Sequence, residues 1–507
     1  MPNETGAIGR PSAVRIAADV ADSRGDELAA IARETDGSIP IVRTGPTGID
    51  GIEPLVLCTV DGETAFVADP TDEAFKAAVS ELVAGRLPET HSSAVVSHDP
   101  EITMLPLPET GPLAAGRRRV LGPCGWVAPI VPSEYELVST GRDVETKPIR
   151  ARNILGRGRG DACADESVLD AWETAKETDS TPIVVINAND TDERQQADRT
   201  LLAGAPIAVL DGAAAVAQYV GADEIVLYMN ETAVDLHEHV SRAAEEAALD
   251  VEVHPVVGPD EFRAGAPTAA LEALEGADRI EPRIQPPSPA SYGLYGRPTV
   301  IHTPRTFAQV RTVLRASAEA DSDAAVPGTR LFTVSGDVAA PATIELDADD
   351  SLTTCLEAVE LDGSLKLACV GGVFGGVTRT LDIAPTARTL HAAKLGTGGA
   401  VELLNERRCP VKIAGERAKF GAEENSGRCV PGREGTVQLT KLLRSIYDGS
   451  YDAVKIRELA RVMRRSSNCA IGRNTPRPAM SAIDEFEPEF RAHADGRCSS
   501  GACTERL

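Results

Sequence analysis

The sequence predicts a multidomain α/β chain, and three observations carry that prediction. The chain has 507 residues, more than one hydrophobic core supports, so about three to four units are expected. Two continuous apolar runs, PIVVINA (182–188) and EIVLYMN (224–230), suit strands buried on both faces. An Ala/Leu-rich helical stretch (199–220) separates them, and the β-α-β order implies a parallel inner sheet. Past residue 326 the pattern turns to strand pairs with Gly turns, and past 404 to helix alone.

Residues 12–90 read as a small α/β unit. SAVRIAA alternates as a strand, DELAAIARET has helical spacing, and PLVLCTV with AFVA reads as a hairpin about Asp61-Gly62. DEAFKAAVSELVAGRL is an amphipathic helix stopped at Gly85. Residues 90–116 are polar and Pro-rich, a linker by composition. The larger α/β unit follows, with a further helix over 233–248. RLFTVSGDV, PATIELD and LKLACVGGVFGG mark a small β-rich module. GTVQLTKLLRSIYDG and YDAVKIRELARVMRRSS carry the helical pattern, and the tail ending RAHADGRCSSGACTERL reads as disordered. The expected boundaries are 1–95, 96–116 (linker), 117–325, 326–402, 403–487 and 488–507 (tail).

Net charge is -26 with a pI near 4.8, and the acidity is spread along the chain. Nine of the 51 basic residues are Lys, and aromatics make up 4%. That balance suits a protein kept soluble in concentrated salt, where ions screen self-repulsion within a few Å. No basic stripe exists, so nucleic acid is not an expected partner. The most apolar stretch, 205–222, is broken by Asp211, Gly212 and Gly221, so no direct membrane insertion is expected. MPNETGAIGR lacks a basic-then-apolar signal pattern, and an intracellular location is expected. Ten dispersed cysteines read mostly as reduced, buried, small hydrophobes.

EPRIQPPSPASYGLYGRPTV (281–300), with the helix ALEALEG before it, closely resembles the flavin- and NADH-binding subunit of respiratory complex I. Diaphorase subunits of NAD-reducing hydrogenases and formate dehydrogenases belong to the same family. The resemblance runs in order over about 117–485: RRRVLGPCG, GRG at 156–158, INANDTDERQQADR, GTRLFTVSGDV, LGTGGAVEL and ENSGRCVPGREGT. Residues 12–90 resemble, more weakly, the thioredoxin-like ferredoxin domain often fused ahead of such subunits. The resemblance therefore implies a degenerate thioredoxin-like domain, an α/β flavin-binding domain, a β-grasp (SLBB-type) module and a C-terminal helical iron–sulfur-type bundle. It implies hydride transfer from NADH to FMN, then electron passage toward iron–sulfur centres. It also implies partner subunits of a redox complex and a cytoplasmic position, peripheral on the inner face of the cell membrane through that complex.

The family's flavin loop, Gly-Arg-Gly-Gly-Ala-Gly-Phe-Pro, has its counterpart in GRGRGDACADES. Gly156, Arg157, Gly158 and Gly160 keep the small-residue character a phosphate or ring needs nearby. Arg159 and Asp161 do not, and a flexible Arg/Gly loop is the other reading. Asn187, Asp190 and Asp192 fill the family's acidic segment, either bonding ribityl hydroxyls or making a solvated turn. Phe262 and Gly265 stand in the nucleotide clamp, where Ala266 and Pro267 replace two glutamates that grip NADH hydroxyls. His302 and Thr303 replace two asparagines; both remain donors, and a satisfied loop histidine is the alternative.

The family's cluster loop, Ser-Cys-Gly-x-Cys-x-Pro-Cys-Arg-Glu-Gly-Thr, becomes ENSGRCVPGREGT, with Ser426, Cys429 and Gly432 at the three cysteine places. Cys469 resembles the fourth ligand. Two thiolates of four remain, which weighs against an ordinary [4Fe–4S] cluster. Cys409, Cys498 and Cys503 are either replacement donors or core and tail thiols. Cys58 alone stands near the family's [2Fe–2S] site, in the strand after the ligand positions, so that cluster is not expected. Two functions follow: an NADH dehydrogenase flavin-subunit homologue with partly lost motifs, or a catalytically degenerate structural or regulatory subunit.

Overall fold

The computed structural model describes residues 6–35, 38–140, 144–156, 165–319 and 328–503. Its first unit is β1 (Ser12–Ala17), α1 (Ser23–Thr35), β2 (Ile41–Thr44), β3 (Leu55–Val60), β4 (Glu63–Ala68), α2 (Asp72–Val83) and β5 (Ala94–Ser97). The sheet order is β2-β1-β3-β4-β5, with β1 and β2 parallel and the rest antiparallel. Asp61 and Gly62 join β3 to β4 with φ of +47° and +82°, the turn geometry that matches strand twist. Leu28, Phe75, Val79 and Leu82 of the helices cover Val14, Ile16, Val56 and Cys58 on one face. The opposite face, with Leu55, Leu57 and Phe66, joins the main core.

The stretch read as a linker is not one in space. Its first residues complete β5, and Leu105, Leu113 and Ala115 are buried in the main core. It has almost no regular structure, so periodicity gives no sign of its burial. Tertiary bonds hold it instead: Leu105 N–H donates to Gly122 O (2.7 Å), and Trp126 Nε1 to Ile102 O (2.8 Å). The Arg15 guanidinium stacks 3.8 Å over the Trp126 ring.

The second unit comprises α3 (Lys147–Ala151), α4 (Val168–Lys176), β6 (Ile183–Ala188), α5 (Ala197–Gly204), α6 (Pro206–Val220), β7 (Glu224–Asn230), α7 (Val234–Glu246), β8 (Glu252–Gly258), α8 (Pro267–Leu274), β9 (Thr299–His302) and α9 (Pro304–Glu319). All four strands are parallel, ordered β8-β7-β6-β9. The Ala/Leu-rich stretch is two helices meeting at 99° where Pro206 begins α6. Among the described residues no single helix is long and apolar enough to cross a membrane.

The third unit holds β10 (Arg330–Gly336), β11 (Ala342–Leu346), β12 (Leu365–Val370), β13 (Gly376–Thr378), α10 (Ala387–Ala392) and β14 (Ala400–Asn405). Its mixed sheet runs β11-β10-β14-β12-β13, with only β10 and β14 parallel. A helical layer closes the chain: α11 (Pro410–Glu423), α12 (Val430–Ser445), α13 (Ala453–Ser466), α14 (Ala470–Asn474) and α15 (Pro476–Ala494). Leu439, Leu443, Ile456, Met463, Ile483, Phe486 and Phe490 form its core.

The tail expected to be disordered is folded through Cys503. Helix α15 covers its first residues because Phe486 and Phe490 are buried. Gly496, at φ +78°, then turns the chain. Gly496 N–H donates to His493 O and Arg497 N–H to Ala492 O, the paired bonds of a Schellman cap.

Candidate functional site

The chain runs outward through β6, β7 and β8, then returns to place β9 on the other side of β6. The strand order therefore reverses between β6 and β9, and ligands of open α/β sheets bind outside the carboxyl ends of strands at such a point. A cavity of about 880 Å³ opens there, within the range of small-molecule sites. Asn187, Asn189 and Asp190 line it from the end of β6, and His302 and Thr303 from the end of β9. Gly156, Phe262, Gly265, Ala266 and Pro267 form further walls, and Cys469, Arg473 and Arg477 close the far side.

Asn187 Nδ2 donates to Gly265 O at 2.8 Å, tying the strand end to the turn at 262–265. Asn189 Nδ2 donates to Tyr228 Oη (2.9 Å) and Pro259 O (3.1 Å). Its Oδ1 is fully buried and has no partner among the described residues, an acceptor that a ligand donor would satisfy. Asp190 Oδ1 accepts from Asp192 N–H at 3.1 Å. The Phe262 ring meets Phe374 and Phe420 edge-on, at 5.7 and 5.3 Å.

Trp172 Nε1–H donates to His302 Nε2 at 3.0 Å, which puts the neutral ring's proton on Nδ1. A Cβ at Gly156 would lie 3.6 Å from that Nδ1, so the donor faces the Gly156 wall of the cavity. Burial pushes the His302 pKa down to about 4, and the ring stays neutral at physiological pH. His302 is thus a satisfied histidine and a cavity donor at once.

The histidine sets a pH dependence. Its folded pKa lies below the unfolded 6.5, so the unfolded chain takes up the proton first as pH falls. The stability that His302 contributes is complete above pH 6.5, declines from there to about 4, and levels below. A His302→Gln variant is expected to lose less stability than the parent between pH 7.5 and 4.5, by on the order of a few kcal/mol. Urea titrations at the two pH values check this; equal losses in both proteins would remove His302 from the account.

Asp192 does not line the cavity. Its Oδ1 pairs with Arg194 (2.8 Å), and its Oδ2 accepts from Val373 N–H (3.2 Å). Arg194 and Arg417 both reach Glu402, at 2.9 and 2.8 Å. Asp192 therefore belongs to a buried joint linking the second unit, the third sheet and α11. Arg157, Gly158 and Gly160 lie outside the described residues. Asn189 and Trp172 were not singled out by sequence. Asn189 had a signal, since it follows Asn187 at the two-residue period of a strand face; Trp172 had none.

Cys429 and Cys469 precede α12 and α14 and lie in one buried cluster with Val373, Phe374 and Ile471. Burial opposes ionisation of Cys429, but N–H donors of Asn468, Gly432 and Cys469 outweigh it and lower the pKa; burial raises that of Cys469. Asn468 N–H lies 3.4 Å from Cys429 Sγ, and Gly472 N–H 3.4 Å from Cys469 Sγ. A Cβ at Gly432 would fall 2.9 Å from Cys429 Sγ, so this place adjoins the thiols but offers no ligand atom. Ser426 Oγ accepts from Arg428 N–H at 3.4 Å. A four-iron core takes four protein ligands, and two thiols with one hydroxyl do not fit its ordinary form. Cys409, Cys498 and Cys503 do not join this pair but gather elsewhere with His493. Cys58 is fully buried in β3, its thiol pushed up to about 12 by desolvation.

Residues 149–312 match the Nuo51 FMN-binding domain, and residues 412–493 the NADH-ubiquinone oxidoreductase-F iron-sulfur binding region. Both matched models describe parts of NADH-quinone oxidoreductase F-type subunits, and the chain is similar to such subunits over these two segments. Among its relatives is the HndC component of the NADP-reducing hydrogenase of Solidesulfovibrio fructosivorans, 27% identical over 379 residues, 69% of this chain and 76% of that protein. The F-type component of the NADH-quinone oxidoreductase of Streptomyces coelicolor is 28% identical over 368 residues, 67% of this chain and 81% of that one. Its Rickettsia conorii counterpart is 26% identical over 395 residues, 70% and 90% of the two chains. A crystal structure of NAD+-reducing [NiFe]-hydrogenase in the H2-reduced state superposes with a TM-score of 0.64 at 22% identity, over 95% of this chain and 84% of that one, a likeness of fold. The chain departs from the pattern of the subunits it resembles inside the cavity itself: Ala266 and Pro267 line it, and Pro267 opens α8.

Proposed function

We propose that this chain binds FMN and NADH in the cavity between β6 and β9 and passes electrons from NADH to other subunits of a redox complex. One observation carries the reading: the cavity lies at the topological switch point and is lined by segments within the matched FMN-binding domain. The residues fit a polar, planar ligand. Asn189 Oδ1 is an unpartnered buried acceptor, His302 Nδ1–H a fixed donor, and Gly156 leaves room for close approach. Bound FMN supplies the hydride acceptance and the one-electron steps. Asn187, Asn189, Asp190, His302 and Thr303 would hold and orient it, with Arg157, Gly158 and Gly160 as further candidates. Phe262 and Gly265 shape the nucleotide side. Without a carboxylate at Ala266 or Pro267, hydroxyls of the dinucleotide lose acceptors, so NADH is held more weakly than by a carboxylate clamp.

In the same reading, neither Cys429 with Cys469 nor Cys58 supports an ordinary four-cysteine cluster, and electrons leave to partner subunits. The chain is placed in the cytoplasm, on the inner face of the membrane through its complex.

Purification under anaerobic, high-salt conditions, reconstitution with FMN and addition of NADH test the proposal. Bound flavin absorbance that bleaches on adding NADH is the expected result. Flavin that binds but stays oxidised would favour a structural or regulatory role, and no flavin binding at all would reject the cavity as a flavin site.

A further inference from the structure

We infer that Cys409, His493, Cys498 and Cys503 form a tetrahedral zinc site that fastens the tail to the helical layer. One ligand atom from each, three Sγ and one imidazole nitrogen, lies within 4.8 Å of every other. Cys409 Sγ and His493 Nε2 are 3.5 Å apart. Zinc–sulfur bonds near 2.3 Å in a tetrahedron put ligand atoms about 3.8 Å apart, so a contraction of about 1 Å or less closes the site. Three thiolates and one imidazole form a standard structural zinc set. A four-iron core, which spreads its ligands around a cuboid, needs more room than these atoms leave.

The imidazole is preset for this role. His493 Nδ1 lies 3.1 Å from Glu489 O, and donation there frees Nε2 to accept a metal, the outer-sphere arrangement usual for zinc-bound histidine. Tyr447 packs edge-on against the same ring at 5.4 Å, with its hydroxyl 3.6 Å from Cys503 Sγ. Cys409 stands just before α11, at the start of the helical layer.

Among the described residues, little besides its two thiols docks the tail on the helical core. From Asp495 to Cys503 every residue is exposed except Cys498, Ser500 and Cys503, and Ser500 Oγ lies 3.3 Å from Cys498 Sγ. The Schellman turn at Gly496 and the turn at Gly501, at φ +68°, return two thiols and, among the described residues, nothing apolar of size to the layer. A metal joining three segments (the β14–α11 junction, the end of α15 and the tail) accounts for that path. The site is separate from the flavin cavity and stands whether or not the proposed function does.

The test is the metal content of the full chain, purified anaerobically without chelator, followed by cobalt substitution. One zinc per chain is expected, and cobalt should give the intense visible bands of a tetrahedral thiolate site. Cys498→Ser or Cys503→Ser should weaken zinc at least ~10–100-fold, no less than loss of an outer-sphere partner does. Cys355→Ala, at a buried thiol outside the group, should keep it. Metal-free protein that gives no tetrahedral cobalt spectrum would overturn the inference, as would a Cys498–Cys503 disulfide or iron in place of zinc. The cobalt readout on the parent chain decides the matter even if a variant fails to fold.

Discussion

Replacing Asp211 with alanine is expected to cost about 3–5 kcal/mol of stability, a large share of what a folded domain holds. Asp211 is fully buried in α6, the most apolar helix of the second unit. Its carboxylate accepts from Val138 N–H and Ser139 N–H at 2.9 Å each. It also pairs with Arg311 Nε at 2.9 Å, and Arg311 is itself 4% exposed. Alanine would leave a buried cation and two backbone donors without their acceptor. Breaking a buried pair from one side is costly because the surviving charge stays desolvated. The surface pair Arg461–Glu458, more than half exposed on both sides, is the control; Glu458→Ala should change stability by less than about 1 kcal/mol. Urea unfolding at one fixed salt concentration measures both. Asp211→Asn should fall between, since an amide can still accept the two N–H bonds. If Asp211→Ala lost no more than the surface control, the buried pair would not hold α6 in place.

Asp211 also marks how far the sequence could be read. As a letter in an apolar run it says only that no membrane helix forms there. Its partners, Arg311 and the 138–139 backbone, are distant in sequence and leave no periodic trace. What local chemistry dictates was legible: the Asp61-Gly62 turn, the apolar runs of β6 and β7, and the glycine that stops α2. What tertiary packing dictates was not. The 96–116 stretch looked like a linker because buried irregular backbone has no period. The tail looked disordered because two thiols and a histidine weigh little in composition. The cavity was half legible. Asn187, Asp190, His302 and Thr303 stand where two parallel strands end, and motif likeness found them. Asp192, two residues beyond Asp190, was assigned with them although its carboxylate turns away to Arg194 and Val373. A segment match gives the neighbourhood of a side chain and leaves its direction open.

A Ser426→Cys/Gly432→Cys double variant is expected to assemble a [4Fe–4S] cluster, with about four irons per chain and a thiolate-to-iron absorption band. The parent should hold iron well below that level under the same anaerobic reconstitution. The parent already sets Cys429 and Cys469 in one buried cluster at the starts of two helices, with N–H donors on both sulfurs. What it lacks is ligand atoms. A side chain at Gly432 starts 2.9 Å from Cys429 Sγ and 3.0 Å from Asn425 Nδ2, so its sulfur would enter the same group once those side-chain ends give way. Ser426→Cys replaces a hydroxyl with a thiolate in the same buried loop. Because ligation contributes folding energy, the reconstituted double variant should also resist unfolding better than its iron-free form. Either single substitution leaves the set one thiolate short and should bind iron less firmly than the double variant. A parent chain that bound four irons as tightly as the double variant would show that other groups complete the set. If the double variant stayed free of iron, the loop would have lost the cluster's shape as well as its ligands.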